Sequence, residues 1–241
     1  VYAPTIENLG VTKHANGTDF WIITHDWDNN SFKSYQLTSS GFNTTPIVTN
    51  IGLSVTGTGF KAAGMIKVSP SGSKLAITSV SDFVQLYDFN TTTGILTNEQ
   101  TLLQESGELY GAAFSPDETL LYISNALGNI YQFNLNATDI PNSKIVIHNA
   151  NNPGQMQIGI DNKIYISFSN RHYLGVINNP NILGLGCNFQ LDGVFLQGKK
   201  CKSGLPSFNQ SFFFVPTIQF VNNCEGDAVN FNFSTNQTIL S

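Results

Sequence analysis

The sequence predicts an all-β protein: a β-propeller of about four blades, part of a larger ring, followed by the first strands of a β-sandwich. Three observations carry this. One strand–turn–strand pattern recurs along the chain at a blade-like spacing. The apolar runs are short, β-branched or aromatic, and broken by Gly, Pro, Asn and Asp, so long helices find no support. Only 11% of residues are charged, against roughly 25% in an average globular protein. The polar surface falls instead to Asn, Ser, Thr and Gln, which suit strands and turns better than exposed helices.

In chain order, Val1 to Gly10 reads as the tail of an earlier blade. A degenerate first copy follows, with strands over Asp19–His25 and Phe32–Leu37. The clear copies are Val68–Ser79, Phe114–Ser124 and Gly159–Ser167, each a strand end, a tight polar turn and a second apolar strand. A third strand comes next each time: Val84–Phe89, Ile130–Leu135 and Tyr173–Ile177. The first two of these alternate with period two, as a strand with one buried face does. Aligning Ser79, Ser124 and Ser167 gives steps of about 45 and 43 residues, the length of a four-stranded blade. A sandwich has no reason to repeat its strands in sets. About four blades fit between residues 11 and 200, and blades are expected to be missing upstream.

The formal net charge is -5, and the only basic cluster is Lys199, Lys200 and Lys202. Nucleic acid is excluded as a partner on this ground, because binding its backbone needs an electropositive face. No apolar run reaches the roughly 18 to 20 residues of a membrane span. Val1 is not an initiator Met and no signal peptide follows it, so the chain is expected to be processed or a piece of a longer protein. The three cysteines, Cys187, Cys201 and Cys224, match no zinc spacing. Cys187 and Cys201 are close enough in sequence to bridge a hairpin and are expected to form a disulfide, leaving Cys224 for a partner elsewhere.

Three stretches resemble a known family: Lys13–His25; Val176–Gly184 with Cys187-Asn188-Phe189; and Gly204–Phe213. They are similar to segments of the gliding-motility-associated, or type B sorting-domain, proteins of the Bacteroidota type IX secretion system. The resemblance runs in order from Val1 to about Phe220. It implies an amino-terminal propeller, then immunoglobulin-like or PKD-like modules, then a sorting domain. Residues 1–215 are accordingly expected to be propeller blades with the amino-terminal ones missing. Residues 216–241 are expected to begin an Ig-like or PKD-like sandwich, with two strands between Ile218 and Phe233 that cannot form a core alone. The resemblance also implies a secreted, cell-surface protein handled by the type IX machinery.

Candidate chemistry is sparse. His14 and His25 flank a strand, with Asp26 and Asp28 beyond, but hydrogen-bonded blade-edge turns explain them as simply as a metal or acid/base site. His172, beside Arg171, reads as a solvated loop. Asp26, Asp28 and Asn30 place oxygen side chains at alternate positions, as calcium loops do. The segment lacks the glycine and glutamate that complete such a loop, and a hairpin turn between Ile23 and Phe32 is the plainer reading. No cofactor is expected, and calcium is the one alternative the sequence offers. Gly57–Gly64 lacks the ending of a phosphate loop and precedes a strand. The sequons at Asn16, Asn43, Asn90 and Asn136 read as Asn-rich turns. Ser207 follows Pro206 at the start of an extended strand over Phe208–Val215 rather than a nucleophile elbow.

No catalytic residue is therefore assigned from the sequence. The leading expectation is a non-catalytic extracellular binding or adhesion scaffold, its partner an unknown protein or polysaccharide. A propeller hydrolase of the lactonase kind, with its site at the channel mouth, is the first alternative. A structural spacer or filament subunit that self-associates is the second. Carboxylates and histidines converging at one channel mouth, with a bound divalent ion, would favour the enzyme; a channel of small and apolar residues would favour the scaffold.

Overall fold

Four tight turns of one construction space the chain. Each closes with an N–H to a carbonyl across the turn and holds a left-handed residue three positions on. The pairs are His14–Asp19 with Gly17, Ser69–Lys74 with Gly72, Ser115–Leu120 with Glu118, and Gly159–Lys163 with Asn162. Glycine and asparagine reach this region at little cost; Glu118, at φ 60°, is the exception. Its carboxylate accepts hydrogen bonds from Ser71 in the preceding turn, which hold it there.

The computed structural model describes residues 4–7, 9–57, 62–80, 83–105, 107–149, 152–206, 209, 217–220 and 231–234. The turns join antiparallel strands into four sheets. Sheet I holds β1 (Gly10–Lys13), β2 (Phe20–His25), β3 (Ser31–Thr38) and β4 (Gly41–Phe42), with β5 (Ile47–Asn50) also paired to β3. Sheet II is β6 (Gly64–Val68), β7 (Lys74–Ser79), β8 (Phe83–Phe89) and β9 (Leu96–Gln104). Sheet III is β10 (Leu109–Phe114), β11 (Leu120–Asn125), β12 (Asn129–Asn134) and β13 (Ile145–Asn149). Sheet IV is β14 (Pro153–Ile158), β15 (Ile164–Phe168), β16 (Tyr173–Ile177) and β17 (Phe189–Phe195). The first strands are the inner ones, since β6 and β14 both pack on β10, and β1 on β6. The protein is all-β with the blade arrangement of a propeller.

The core lies between sheets rather than within them. One cluster, with Ile23, Phe32, Ile77 and Tyr87, seals sheet I to sheet II. A second, with Leu86, Phe114 and Ile123, seals II to III. A third, with Tyr122, Met156 and Ile166, seals III to IV. Among the described residues no buried cluster joins sheet IV back to sheet I, so the four sheets form an arc. This is the geometry expected for part of a larger ring.

A second repeat accompanies the isoleucines at these seams. In β7, β11 and β15, Ile is followed by a hydroxyl residue: Ile77-Thr78, Ile123-Ser124, Ile166-Ser167. Each hydroxyl donates to a carbonyl of the next inner segment: Thr78 to Tyr110 at 2.7 Å, Ser124 to Gly154 at 2.7 Å and Ser167 to Ser203 at 2.6 Å. Each blade is thereby tied to its successor at the axis. Ser203 takes the place of an inner-strand residue in this series. The equivalent Thr24 of sheet I is buried, and its hydroxyl has no partner.

One expectation is corrected by the fold. The Cys187–Cys201 disulfide is not formed; both are free thiols. Cys187 ends a 3-10 turn before β17, whereas the Cys201 thiol donates to Phe168 O at the β15–β16 turn. The seven residues of β17 run between them, roughly 20 Å at the rise of a strand, far beyond the reach of a disulfide. In the carboxy-terminal stretch, β18 (Thr217–Phe220) and β19 (Phe231–Ser234) pair antiparallel. Cys224, Ser207 and the strand expected over 208–215 lie outside the described residues.

Candidate active site

Each blade brings two segments to the same end of the central channel: the approach to its inner strand and the turn between its second and third strands. These segments enclose a cavity of about 500 Å³. Small residues floor it, among them Ala63, Ala126 and Ser169. Its functional side chains are Glu7, Glu108 and Tyr110, with Asn152 beside them.

Glu7 is held by its neighbours rather than by a strand of its own. Ile6 is buried in the first seam and donates its N–H to His25 O, while the Glu7 N–H donates to Ala62 O of the approach to β6. Glu108 precedes β10, and its carbonyl accepts the Ala126 N–H at 2.9 Å. Both carboxylates are exposed to the cavity. Tyr110 stands in β10 with its carbonyl fixed by Thr78. Burial and the negative charge of Glu7 hold its phenol above the usual range, against a hydrogen bond from Gln155 that pulls it down. Gln155 is itself oriented, because its Oε1 accepts the Leu205 N–H at 2.8 Å. Its amide NH₂ is then the group that faces Tyr110. The phenol is therefore neutral at pH 7 and keeps its proton for donation.

The candidates drawn from the sequence do not meet here. Asp26 forms an ion pair with Lys33 at 2.8 Å. Asp28 is a left-handed turn residue whose N–H donates to Val55 O. Asn30 turns its amide NH₂ toward Gly52 O. They serve the hairpin between β2 and β3, and among the described residues no three His, Cys, Asp or Glu groups gather to hold a metal ion. His25 is buried, stacks edge-on against Phe32 and donates Nδ1–H to Asp26 O at 2.7 Å. Burial lowers its pKa to about 4. His14 accepts the Asn16 N–H and lies against Trp21, and His172 bonds Lys199 O. Glu7 escaped the sequence reading because it lies in a different repeat from Glu108 and Tyr110, and the three form no motif. The one available signal was their position immediately before or at the start of inner strands.

No protein-family profile matches the chain, and no curated protein matches it. Solved structures match its fold. A candidate 6-phosphogluconolactonase from Bacteroides uniformis aligns at TM-score 0.52 and 14% identity, covering 78% of this chain and 55% of that one. The PQQ domain of pyranose dehydrogenase from Coprinopsis cinerea aligns at 0.47 and 16%, covering 68% and 45%. The periplasmic gluconolactonase of Pseudomonas aeruginosa aligns at 0.46 and 12%, covering 69% and 52%. The chain spans about half the length of these structures. The first likeness shows a β-propeller fold. The expectations of a non-catalytic adhesion scaffold and of a chain that is no enzyme are corrected by the first of these neighbours, which is described as a candidate lactonase. The channel mouth is lined by carboxylates rather than by small and apolar residues alone.

Proposed function

We propose that the channel mouth is the active site of a propeller hydrolase that opens an uncharged cyclic ester. The observation that carries this is the convergence on one cavity of Glu7 from one stretch of chain with Glu108 and Tyr110 from another. Propeller neighbours described as lactonases support the substrate class. The charge of the mouth narrows it: among the described residues the lining holds two carboxylates and no Lys or Arg, so a phosphorylated lactone would be repelled where a neutral one is not.

In this reading Glu108 is the general base. It takes a proton from a water molecule as the water oxygen attacks the lactone carbonyl carbon. Tyr110, neutral because burial and Glu7 raise its pKa, donates a hydrogen bond to the carbonyl oxygen as that oxygen becomes negative. When the tetrahedral intermediate collapses, the ring C–O bond breaks and the departing oxygen recovers the proton from Glu108. One water is consumed and one hydroxy acid is formed. Gln155 orients the phenol, and the charge of Glu7 keeps it protonated. The resemblance to type IX cargo would place this activity outside the cytoplasm; among the described residues no helix is long and apolar enough to cross a membrane.

Acid release from neutral sugar γ- and δ-lactones, followed by pH-stat, tests the reading. Turnover above the spontaneous rate is expected, with kcat/KM lower for a phosphorylated lactone than for its neutral counterpart. No acceleration of any lactone would remove the proposal.

A further inference from the structure

A second set of polar atoms is buried in the channel, away from the mouth. Lys67, in β6, is buried, and its ammonium meets Gln157 Oε1 of β14 at 3.2 Å. β6 and β14 each flank β10, so these side chains meet across the axis-facing edge of β10. There Gly111, Ala112 and Ala113 keep the strand slim. An ammonium can only donate, so the Gln157 amide must turn its oxygen to Lys67 and its NH₂ away. That NH₂ is buried and has no partner.

The pair is thus all surplus donor. The ammonium has two further N–H bonds to give and the amide has both of its own. Among the described residues no carboxylate opposes the burial that lowers the Lys67 pKa to about 8. A buried cation and an orphaned buried donor are each unfavourable unless an acceptor completes them. A structural lysine in such a place normally has a carboxylate partner.

We propose that Lys67 Nζ and Gln157 Nε2 form an oxyanion site inside the channel, one that takes a carboxylate or phosphate group. Lys67 lies four residues along from Ala63 of the mouth, roughly 13 Å at the rise of a strand. Both residues are next to last in their strands, so the site stands toward the other end of the channel. It is independent of whether the mouth opens lactones.

The test is thermal unfolding of the intact chain during titration with sodium phosphate and, separately, sodium acetate, at ionic strength held constant with sodium chloride. A saturable rise in Tm is expected with at least one anion. Phosphate alone identifies a phosphate group, acetate alone a carboxylate, and both together a general oxyanion site. Lys67→Met should shift the titration midpoint at least tenfold or abolish the response. Gln157→Glu places a carboxylate against Lys67; it should raise Tm without added anion and remove the response. No response to either anion in the parent chain, or equal responses in the parent and both variants, would overturn the assignment.

Discussion

Thr78 Oγ1 donates to the carbonyl of Tyr110 at 2.7 Å and accepts the Met65 N–H at 3.0 Å. The residue whose phenol lines the mouth is therefore fixed by the blade before it, and the hydroxyl repeat that assembles the propeller also positions the site.

Thr78→Val should cost about 1–3 kcal/mol, because it leaves a buried N–H and a buried carbonyl unpaired while keeping the side chain's volume. Thr24→Val should be neutral or stabilising, since the Thr24 hydroxyl is already buried without a partner. Urea denaturation of both variants checks the contrast. Equal destabilisation by the two would show that the hydroxyls act through something other than these bonds.

His25 gives the fold an acid limit. Its folded pKa of about 4 lies below the unfolded value of 6.5, so between these the unfolded chain binds a proton that the folded chain does not. Stability is fully present above pH 6.5 and falls as pH drops, by about 3 kcal/mol near pH 4. His25→Gln should flatten this limb of the stability–pH curve. An unchanged slope would assign the acid limit to other groups.

The two described thiols should behave as free and unequal. Cys187 is fully buried, and burial raises its pKa; Cys201 is partly exposed. Iodoacetamide should label Cys201 in the native chain and Cys187 only on unfolding, and reductant should leave Tm unchanged. A Cys187–Cys201 peptide in a non-reducing map would contradict the structure.

The blades are legible in the sequence because their determinants are local. The Ile-Thr or Ile-Ser pair on each second strand, and the turn residues Gly72, Glu118 and Asn162, recur at nearly constant spacing. The site is not legible, because Glu7 and Glu108 lie in irregular approaches to different inner strands. Only the curvature of the arc brings them to one cavity. The Cys187–Cys201 expectation failed for the complementary reason: fourteen positions apart in sequence means close in a loop but distant along a strand such as β17. Lys67 gave no warning either, as a single lysine in an alternating strand reads as a solvent-facing residue.

The central claim is that Glu108 activates water at the channel mouth. The most direct test is kcat/KM of Glu108→Gln on the best neutral lactone, measured beside its melting temperature. A loss of about 10²- to 10⁴-fold is expected with Tm unchanged, since the Glu108 side chain is exposed. Full activity in Glu108→Gln would contradict it.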